Sequence, residues 1–330
     1  MNLTLVIPLA ADKGIEIEEI SKQKIKHLEI YGSNPSKNRN KGVEIAKTKY
    51  VAFINGHTTL SENWIEEVEA FFNEHPEIDI VGGPQLTSEN EPLFGRISGY
   101  ALQSKFGAGG TCSRYSPTPL NLNANETMLT SANLICKRSV FNKIKFDENL
   151  YPGEDPKFIT DALKNGLRVA YSPDIIVYNK RRDNIAALAK QVYYYGFVRA
   201  KKEVLIETIK KPTFLVPSIF LLYLVTWAII LLYLLVGLTP SLLFIISSIP
   251  LCFYILLSIL FSIYAIDDWV KNSIRTACDD SGDWLIEDAH DSDGLYLITL
   301  LPLLFLTIHL SYGIGFIIGN LKWKILTRKH

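Results

Sequence analysis

The chain lacks any excess of charge: 34 Lys and Arg balance 34 Asp and Glu over 330 residues. A nucleic-acid-binding surface shows as a basic surplus, so no nucleic-acid partner is expected. Cysteine is sparse. Cys112, Cys136, Cys252 and Cys278 form no CxxC or similar pair, which argues against a disulfide framework or a zinc site. Scattered thiols suit a reducing compartment. Met1 to Leu9 has neither the basic start nor the long apolar core of a signal peptide, so the first domain is expected to stay cytosolic.

Charge is also missing locally. Residues 1–211 are rich in it, whereas 213–266 and 295–320 hold almost none. A helix needs about 20 apolar residues to cross a bilayer. Thr213–Val236, Leu242–Ile266 and Leu295–Ile318 each supply that length, and core helices of soluble proteins are rarely apolar all round. A multi-pass protein of the cell membrane is expected, divided as 1–182, an interfacial amphipathic helix at 183–211, and a membrane domain at 212–330. Lys201, Lys202, Lys210 and Lys211 precede the first segment; Lys322, Lys324, Arg328 and Lys329 follow the last. Positive ends face the cytosol. Three full crossings cannot satisfy both ends, so one segment is expected to be re-entrant or to lie along the surface, with Pro250 and Pro302 as candidate breaks. The acidic stretch Asp267–Asp293 lacks the full calcium-loop pattern and reads as a solvated loop.

The first 182 residues alternate strand and helix signals. Leu3–Ile7, Ile25–Tyr31, Tyr50–Ile54 and Ile78–Val81 read as strands. Ile15–Lys22 is a short helical candidate. Asn34-Pro35 reads as an N-cap with proline at the first helical position. Ser61 is placed to cap a helix over 62–74 whose stripe is Trp64, Ile65, Val68, Phe71 and Phe72. Such alternation implies a Rossmann-like, mostly parallel sheet with helices on both faces. Ligands of such sheets bind at the carboxyl ends of the strands. Pro8, Asn55-Gly56-His57 and Gly82-Gly83-Pro84 fall there. Gly107–Asn125, rich in Gly, Ser, Pro and Asn, is expected to be a flexible lid.

The ordered motifs resemble glycosyltransferase family 2, whose domain has the GT-A fold. Val6-Ile7-Pro8 is similar to that family's opening strand, and Asn34 to Gly42 to its helix segment ending Arg-Asn-x-Gly. Asn55-Gly56-His57 stands at the place of its aspartate-x-aspartate turn. Gly153-Glu154-Asp155 resembles its Glu-Asp motif, and Gly166 to Pro173 the strand after it. Gln191 to Gly196 resembles a late segment. Phe94-Gly95-Arg96, Phe106 to Gly110 and His309 to Phe316 resemble the succinoglycan-type glucosyltransferase branch.

The resemblance implies an inverting transfer from a nucleotide-sugar donor, such as a UDP-sugar, to a lipid-linked, polyprenyl-type acceptor in surface-polysaccharide or glycoprotein glycan assembly. Asp155 would be the base that takes the acceptor proton, and Glu154 would orient the acceptor. The residue types fit: an ordinary carboxylate is ionised at neutral pH and accepts a proton when placed within reach. Helix capping explains the same pair. A divalent cation, Mg2+ or Mn2+, would offset the leaving diphosphate, with His57 and Asn55 as its protein ligands. Pro8, Asp12, Arg39, Asn55, Gln191 and Arg199 are the candidate donor contacts. Arg39 could equally pair with a surface acid, and the helix carrying Gln191 and Arg199 could simply lie in the membrane interface. A catalytically weak membrane scaffold and a polyprenyl-phosphate glycosyltransferase remain alternatives.

Overall fold

Short aliphatic runs, buried along their whole length, set up the first layer of the structure. It is a computed structural model that describes residues 1–10, 18–88, 90–202, 211–277 and 292–325. Asp12, Cys278, Lys210, Lys211's predecessors from 203 on, most of the acidic stretch and the tail beyond Ile325 lie outside the described residues. The strands are β1 (Leu3–Leu9), β2 (Lys26–Tyr31), β3 (Tyr50–Ile54), β4 (Thr58–Leu60), β5 (Ile80–Gly82), β6 (Gln85–Leu86), β7 (Asn133–Lys137), β8 (Val169–Tyr171) and β9 (Val177–Asn179). The helices are α1 (Glu18–Lys22), α2 (Pro35–Ile45), α3 (Trp64–Glu74), α4 (Leu93–Gln103), α5 (Lys105–Ala108), α6 (Glu154–Lys164), α7 (Ile185–Lys202), α8 (Val216–Leu235), α9 (Ser241–Ala277) and α10 (Ser292–Asn320).

The chain forms two compact units, Met1–Glu91 with Gly110–Arg181 and Pro92–Gly109 with Arg182–His330. In the first, a six-stranded sheet runs β2-β1-β3-β7-β5-β8. Only β7 is antiparallel to its neighbours. The mostly parallel α/β sheet expected from the alternation is therefore present. Helices cover both faces, which is why the strands are apolar throughout rather than alternating. Val6, Val51 and Phe53 meet Phe141, Phe146 and Phe158 on one side. Leu5, Ile7 and Ile54 meet Trp64, Val68 and Phe72 on the other. A small second sheet, β4-β9-β6, follows the Asn55-Gly56-His57 turn.

Local chemistry explains the helix starts. Asn34 caps α2: its side chain accepts a hydrogen bond from the Lys37 backbone at 3.1 Å, and Pro35 occupies the first turn, as expected. Ser61 does not cap α3 with its side chain. Asn63 holds the cap position, and the Trp64 N–H donates to the Ser61 carbonyl at 3.1 Å, so the turn is closed by backbone instead. Gly107–Asn125 is not an open lid either. It passes through α5 and a 3-10 turn at Gly109–Arg114. Asn121 then exchanges backbone hydrogen bonds with Tyr171 at 3.0 and 2.8 Å, and the Tyr171 hydroxyl donates to the Ser116 carbonyl at 3.0 Å. Satisfied backbone, not composition, decides the order of this stretch.

The second unit holds the apolar helices. Val216–Leu235, Ser241–Asp267 and Tyr296–Trp323, with mean hydropathy 2.4, 2.5 and 1.9, are each long and apolar enough to cross a membrane. Pro250 and Pro302 sit inside uninterrupted α9 and α10, so neither breaks its helix; apolar helices of this kind accommodate proline by small local adjustments. Helix α7 begins where expected, with the Asn184 side chain accepting from the Ala187 backbone at 2.9 Å, and it packs along α10.

Gly42 shows how tightly α2 lies on the sheet. A Cβ there would fall 2.3 Å from Cγ1 of Val6. Gly42→Ala is expected to destabilise the protein by about 1–3 kcal/mol through overpacking, read as a lower thermal midpoint. Adding Val6→Ala should restore part of the loss, because the clash and not helix propensity is its cause.

Candidate active site

The topology gathers the candidate residues before any side chain is considered. In a mostly parallel sheet the carboxyl ends of β1, β2, β3, β5 and β8 share one edge. Pro8 lies at the end of β1, paired with Ile30, and Asn55-Gly56-His57 follows β3. Helix α2 leaves β2 at that edge. Helix α6 runs down to β8, so its first turn, with Glu154 and Asp155, lies at that edge too.

Arg39 joins the two helices. Its Nη1 donates to Glu154 Oε1 at 2.9 Å and lies 3.7 Å from Asp155 Oδ1. The Arg39 side chain is 4% exposed and that of Glu154 5%. The Arg39 guanidinium also lies over the Phe146 ring, 5.3 Å from its centroid. Arg39 is thus turned inward onto a buried acid, not out toward a ligand or a surface acid. Its neighbours repeat the pattern. Asn40 accepts from the Phe146 N–H at 3.1 Å and donates to the Phe146 carbonyl at 2.9 Å. Asn38 donates to the Gly32 carbonyl at 3.1 Å and, more weakly, to that of Leu9 at 3.4 Å. The Asn-Arg-Asn run therefore holds the ends of β1 and β2 and the approach to α6 in one frame. Asparagine is a poor choice for a helix interior, so two of them flanking a buried arginine were the signal available in the sequence.

Gly153 starts α6 with φ +108°, a conformation that costs a side-chain-bearing residue energy and glycine little. Asp155 follows with its side chain 22% exposed. Its Oδ1 is buried and has no hydrogen-bond partner among the described residues. A carboxylate oxygen left in that state is set to accept a proton or a donated hydrogen bond from a molecule that enters. Glu154 differs. Burial first, then the neighbouring Asp155, push its carboxyl up to about 7, against the pull of Arg39.

The turn after β3 is less well furnished. His57 is exposed and Asn55 half-buried, and the Thr58 N–H donates to the Asn55 carbonyl at 3.1 Å. One imidazole and one neutral amide make a thin ligand set for a hard cation, which prefers carboxylate oxygens. Among the described residues no group of three or more His, Cys, Asp or Glu side chains gathers to hold a metal ion. Gln191 and Arg199 belong to α7, in the second unit. Gln191 donates to the Tyr195 hydroxyl at 2.8 Å, and the Arg199 guanidinium lies over Phe214 at 3.8 Å.

Sequence reasoning missed a buried polar chain beneath the turn. Thr58 donates to Asn179 at 3.3 Å, Asn179 to Gln85 at 3.0 Å and Gln85 to Thr130 at 2.5 Å. Arg181 extends it, donating to the Thr87 hydroxyl at 2.8 Å and to the Gln85 carbonyl at 2.5 Å. Asn133, at the start of β7, accepts from Trp64 at 3.2 Å and donates to the Ile175 carbonyl at 2.7 Å. These residues lie far apart in sequence, and no local pattern announces their meeting.

Two measurements probe the frame. Arg39→Met leaves Glu154 buried without its cation and is expected to cost about 3–5 kcal/mol, whereas the double variant Arg39→Met, Glu154→Gln should cost clearly less; denaturant unfolding of the purified chain compares them. The pH dependence has a definite sign. With its carboxyl raised from 4.5 to about 7 in the folded state, Glu154 keeps a proton that the unfolded chain has already released. Its stabilising contribution is complete below pH 4.5 and is lost as the pH rises to about 7. Glu154→Gln should flatten the thermal midpoint of the wild type across that window.

Known proteins are similar to this chain. The sequence model described as "Glycosyl transferase family group 2" matches residues 50–266, more than half of the chain. A pre-mycofactocin glycosyltransferase of Mycobacterium tuberculosis is 25% identical over 170 residues, which cover 50% of this chain and 34% of that protein. The minor teichoic acid biosynthesis protein GgaB of Bacillus subtilis is 26% identical over 236 residues, 68% of this chain and 25% of that one. The chain thus spans between a quarter and about a third of the length of these curated relatives. Among solved structures, S. aureus TarS 1-349 in complex with UDP-GlcNAc has 15% identity and a TM-score of 0.40, covering 61% of this chain and 66% of that one. The mannosyltransferase PcManGT from Pyrobaculum calidifontis, in complex with GDP-Man and Mn2+, has 11% identity and a TM-score of 0.49 over 98% and 88%.

Proposed function

The chain belongs to glycosyl transferase family group 2, and from that premise we propose that it is an inverting glycosyltransferase whose base is Asp155. The supporting observation is the pair of states at the start of α6. Glu154 is bound to Arg39 and buried, while the adjacent Asp155 keeps a buried oxygen without a partner beside that same arginine. One acid serves the frame and the other is left for chemistry. Glu154 is then a positioning residue, not the acceptor-orienting group its place in the motif suggested.

In this reading the acceptor hydroxyl donates its hydrogen bond to Asp155. As the hydroxyl oxygen bonds to the anomeric carbon, its proton passes to the carboxylate, and the nucleoside diphosphate departs from the opposite side. A single displacement inverts the anomeric centre. The donor is a nucleotide sugar, with a UDP-sugar first to test; the relative TarS was crystallised with UDP-GlcNAc. Pro8, Asn55 and His57 lie at the strand edge where such a donor would bind. A divalent cation is implied by the family resemblance and would supply charge neutralisation of the diphosphate; no step here depends on its being held by His57 and Asn55.

The acceptor we propose is a lipid-linked saccharide in polysaccharide assembly, in the manner of the succinoglycan-type branch. Three apolar helices in the same chain support it, because an enzyme held at the membrane meets such an acceptor in the same plane. The relative GgaB is named for minor teichoic acid biosynthesis, and its name supports polymer assembly as the setting.

Asp155→Asn is expected to lower transfer by about 10²–10⁴-fold while nucleotide binding is kept. A radiolabel assay across several nucleotide sugars, with lipid-linked and free acceptors, measures the first; a nucleotide-induced thermal shift measures the second. Equal transfer by the variant and the wild type would remove Asp155 from the base role. Transfer by neither, with binding intact in both, would favour the scaffold.

A further inference from the structure

The three apolar helices are not alike in what surrounds them. Helices α8 and α9 form an antiparallel hairpin. Phe220 stacks on Tyr254 at 4.3 Å, the Tyr223 hydroxyl donates to the Ser247 carbonyl at 2.8 Å, and the Trp227 indole donates to the Ser248 hydroxyl at 2.9 Å. Only 6% of each apolar window is buried. Both helices leave most of their apolar side chains partly or fully exposed.

Helix α10 is covered instead, with 33% of its window buried. Along its C-terminal half the cover is α7, backbone against backbone. A Cβ on Gly315 would lie 2.0 Å from the Tyr193 carbonyl oxygen, one on Gly319 2.6 Å from that of Phe197, and one on Gly196 2.2 Å from that of Tyr312. The contacts rise together in number, so the two helices run parallel. Helix α7 carries Lys190, Arg199, Lys201 and Lys202. Each such cation at the centre of a bilayer costs about 2.5–3.5 kcal/mol or more. A helix locked to α7 over Tyr312–Trp323 cannot carry that stretch through hydrocarbon.

The middle of α10 is tied to the segment that carries Lys105 as well. The His309 Nε2–H donates to the Phe106 carbonyl at 2.8 Å, which leaves Nδ1 to accept from the Tyr254 hydroxyl at 2.9 Å. Phe106 lies on the single-turn helix α5, next to exposed Lys105. Phe106 also packs on Phe305 at 5.0 Å and on Phe261 at 5.2 Å. What remains of α10, from Ser292 to Leu304, is about 20 Å long at 1.5 Å per residue. The hydrocarbon core is about 30 Å thick.

Its contacts with α8 fix the level of α10. They fall on the first turns of α8: a Cβ on Gly313 would lie 2.7 Å from the Pro217 carbonyl oxygen, and Phe220 meets His309 ring to ring at 6.5 Å. We infer that the chain crosses the bilayer twice, through α8 and α9, and that α10 lies in the membrane plane at the face where α8 begins. Its exposed side, with Tyr296, Leu303, Ile314 and Ile318, is set into the lipid; α4, α5 and α7 cover the other. Two crossings return the chain to the side it started from, so the lysines before α8 and the basic residues after α10 share one face. This topology is independent of the chemistry proposed for Asp155.

The test is the side on which the tail lies. In the chain with its four cysteines replaced, single-cysteine variants Lys41→Cys, Gly237→Cys and His330→Cys are treated with a membrane-impermeant maleimide on sealed vesicles, then after permeabilisation. His330→Cys is expected to follow Lys41→Cys and to oppose Gly237→Cys, which marks the turn between α8 and α9. Labelling of His330→Cys together with Gly237→Cys would establish a third crossing and overturn the inference. A fluorescent protein that matures only in the cytosol, fused after His330 of the native chain, asks the same question without replacing cysteine. Fluorescence supports the in-plane helix; its absence with normal expression overturns it. Spin labels at Leu303→Cys and Ile314→Cys should report equal, shallow depths, and a deep label at either site counts against the arrangement.

Discussion

One buried ion pair organises the first unit. Arg39 and Glu154 stand 115 residues apart in sequence and meet at 2.9 Å with almost no exposure. Taking two such charges out of water is costly, and their attraction roughly offsets that cost only when the geometry is good. The pair is therefore a weak source of net stability and a strong constraint on position: an α6 shifted by a turn would strand both charges. The surrounding groups narrow the choice further. Asn40 clasps the Phe146 backbone, Gly42 lets α2 sit on Val6, and Phe146 offers its ring to the guanidinium. Asp155 inherits its place from this frame without contributing much to it.

That division also explains why adjacent acids differ. Glu154 is enclosed and its carboxyl is pushed up to about 7. Asp155 keeps 22% of its side chain exposed. Two carboxylates on one helix turn, beside one arginine, repel each other. Burial makes the Glu154 carboxyl harder to ionise than an ordinary one, against the pull of Arg39. Similar environments would have left the pair interchangeable; unequal burial sets the two acids apart.

Much of the architecture was legible in the sequence, because it is written in local patterns. Apolar runs gave β1, β2, β3 and β5, and Asn34-Pro35 gave the start of α2 to the residue. The long uncharged segments gave α8, α9 and α10. What stayed hidden depended on partners distant in the chain. Arg39 could be seen as a cation in a motif, but not as the partner of Glu154. Ser61 looked like a cap until backbone closed the turn in its place. The stretch from Gly107 to Asn125 has the composition of a loose loop, yet Tyr171 and Asn121 pair its backbone. The chain Thr58–Asn179–Gln85–Thr130 draws on four separate segments, and polar residues of that kind look like ordinary surface until the fold encloses them.

Pro92–Gly109 carries the same lesson into the second unit. By composition it belongs with the first 182 residues, yet it packs with the second unit. The chain passes between the two units at 91–92, at 109–110 and at 181–182, so the apolar helices are not a tail appended to a finished domain. Within the second unit, Phe106 brings a backbone carbonyl to His309, and the ring itself fits among Phe261, Phe305 and Tyr254. A neutral imidazole that donates at one nitrogen and accepts at the other is satisfied only while α5, α9 and α10 all remain in place. In an apolar surrounding the loss of either bond leaves a buried polar group unpaired, at a cost of about 1–3 kcal/mol. Glycine contacts bring α7 and α10 close, but they permit approach without demanding it. The His309 link supplies the demand, and it ties Pro92–Gly109 to the apolar helices of the same unit.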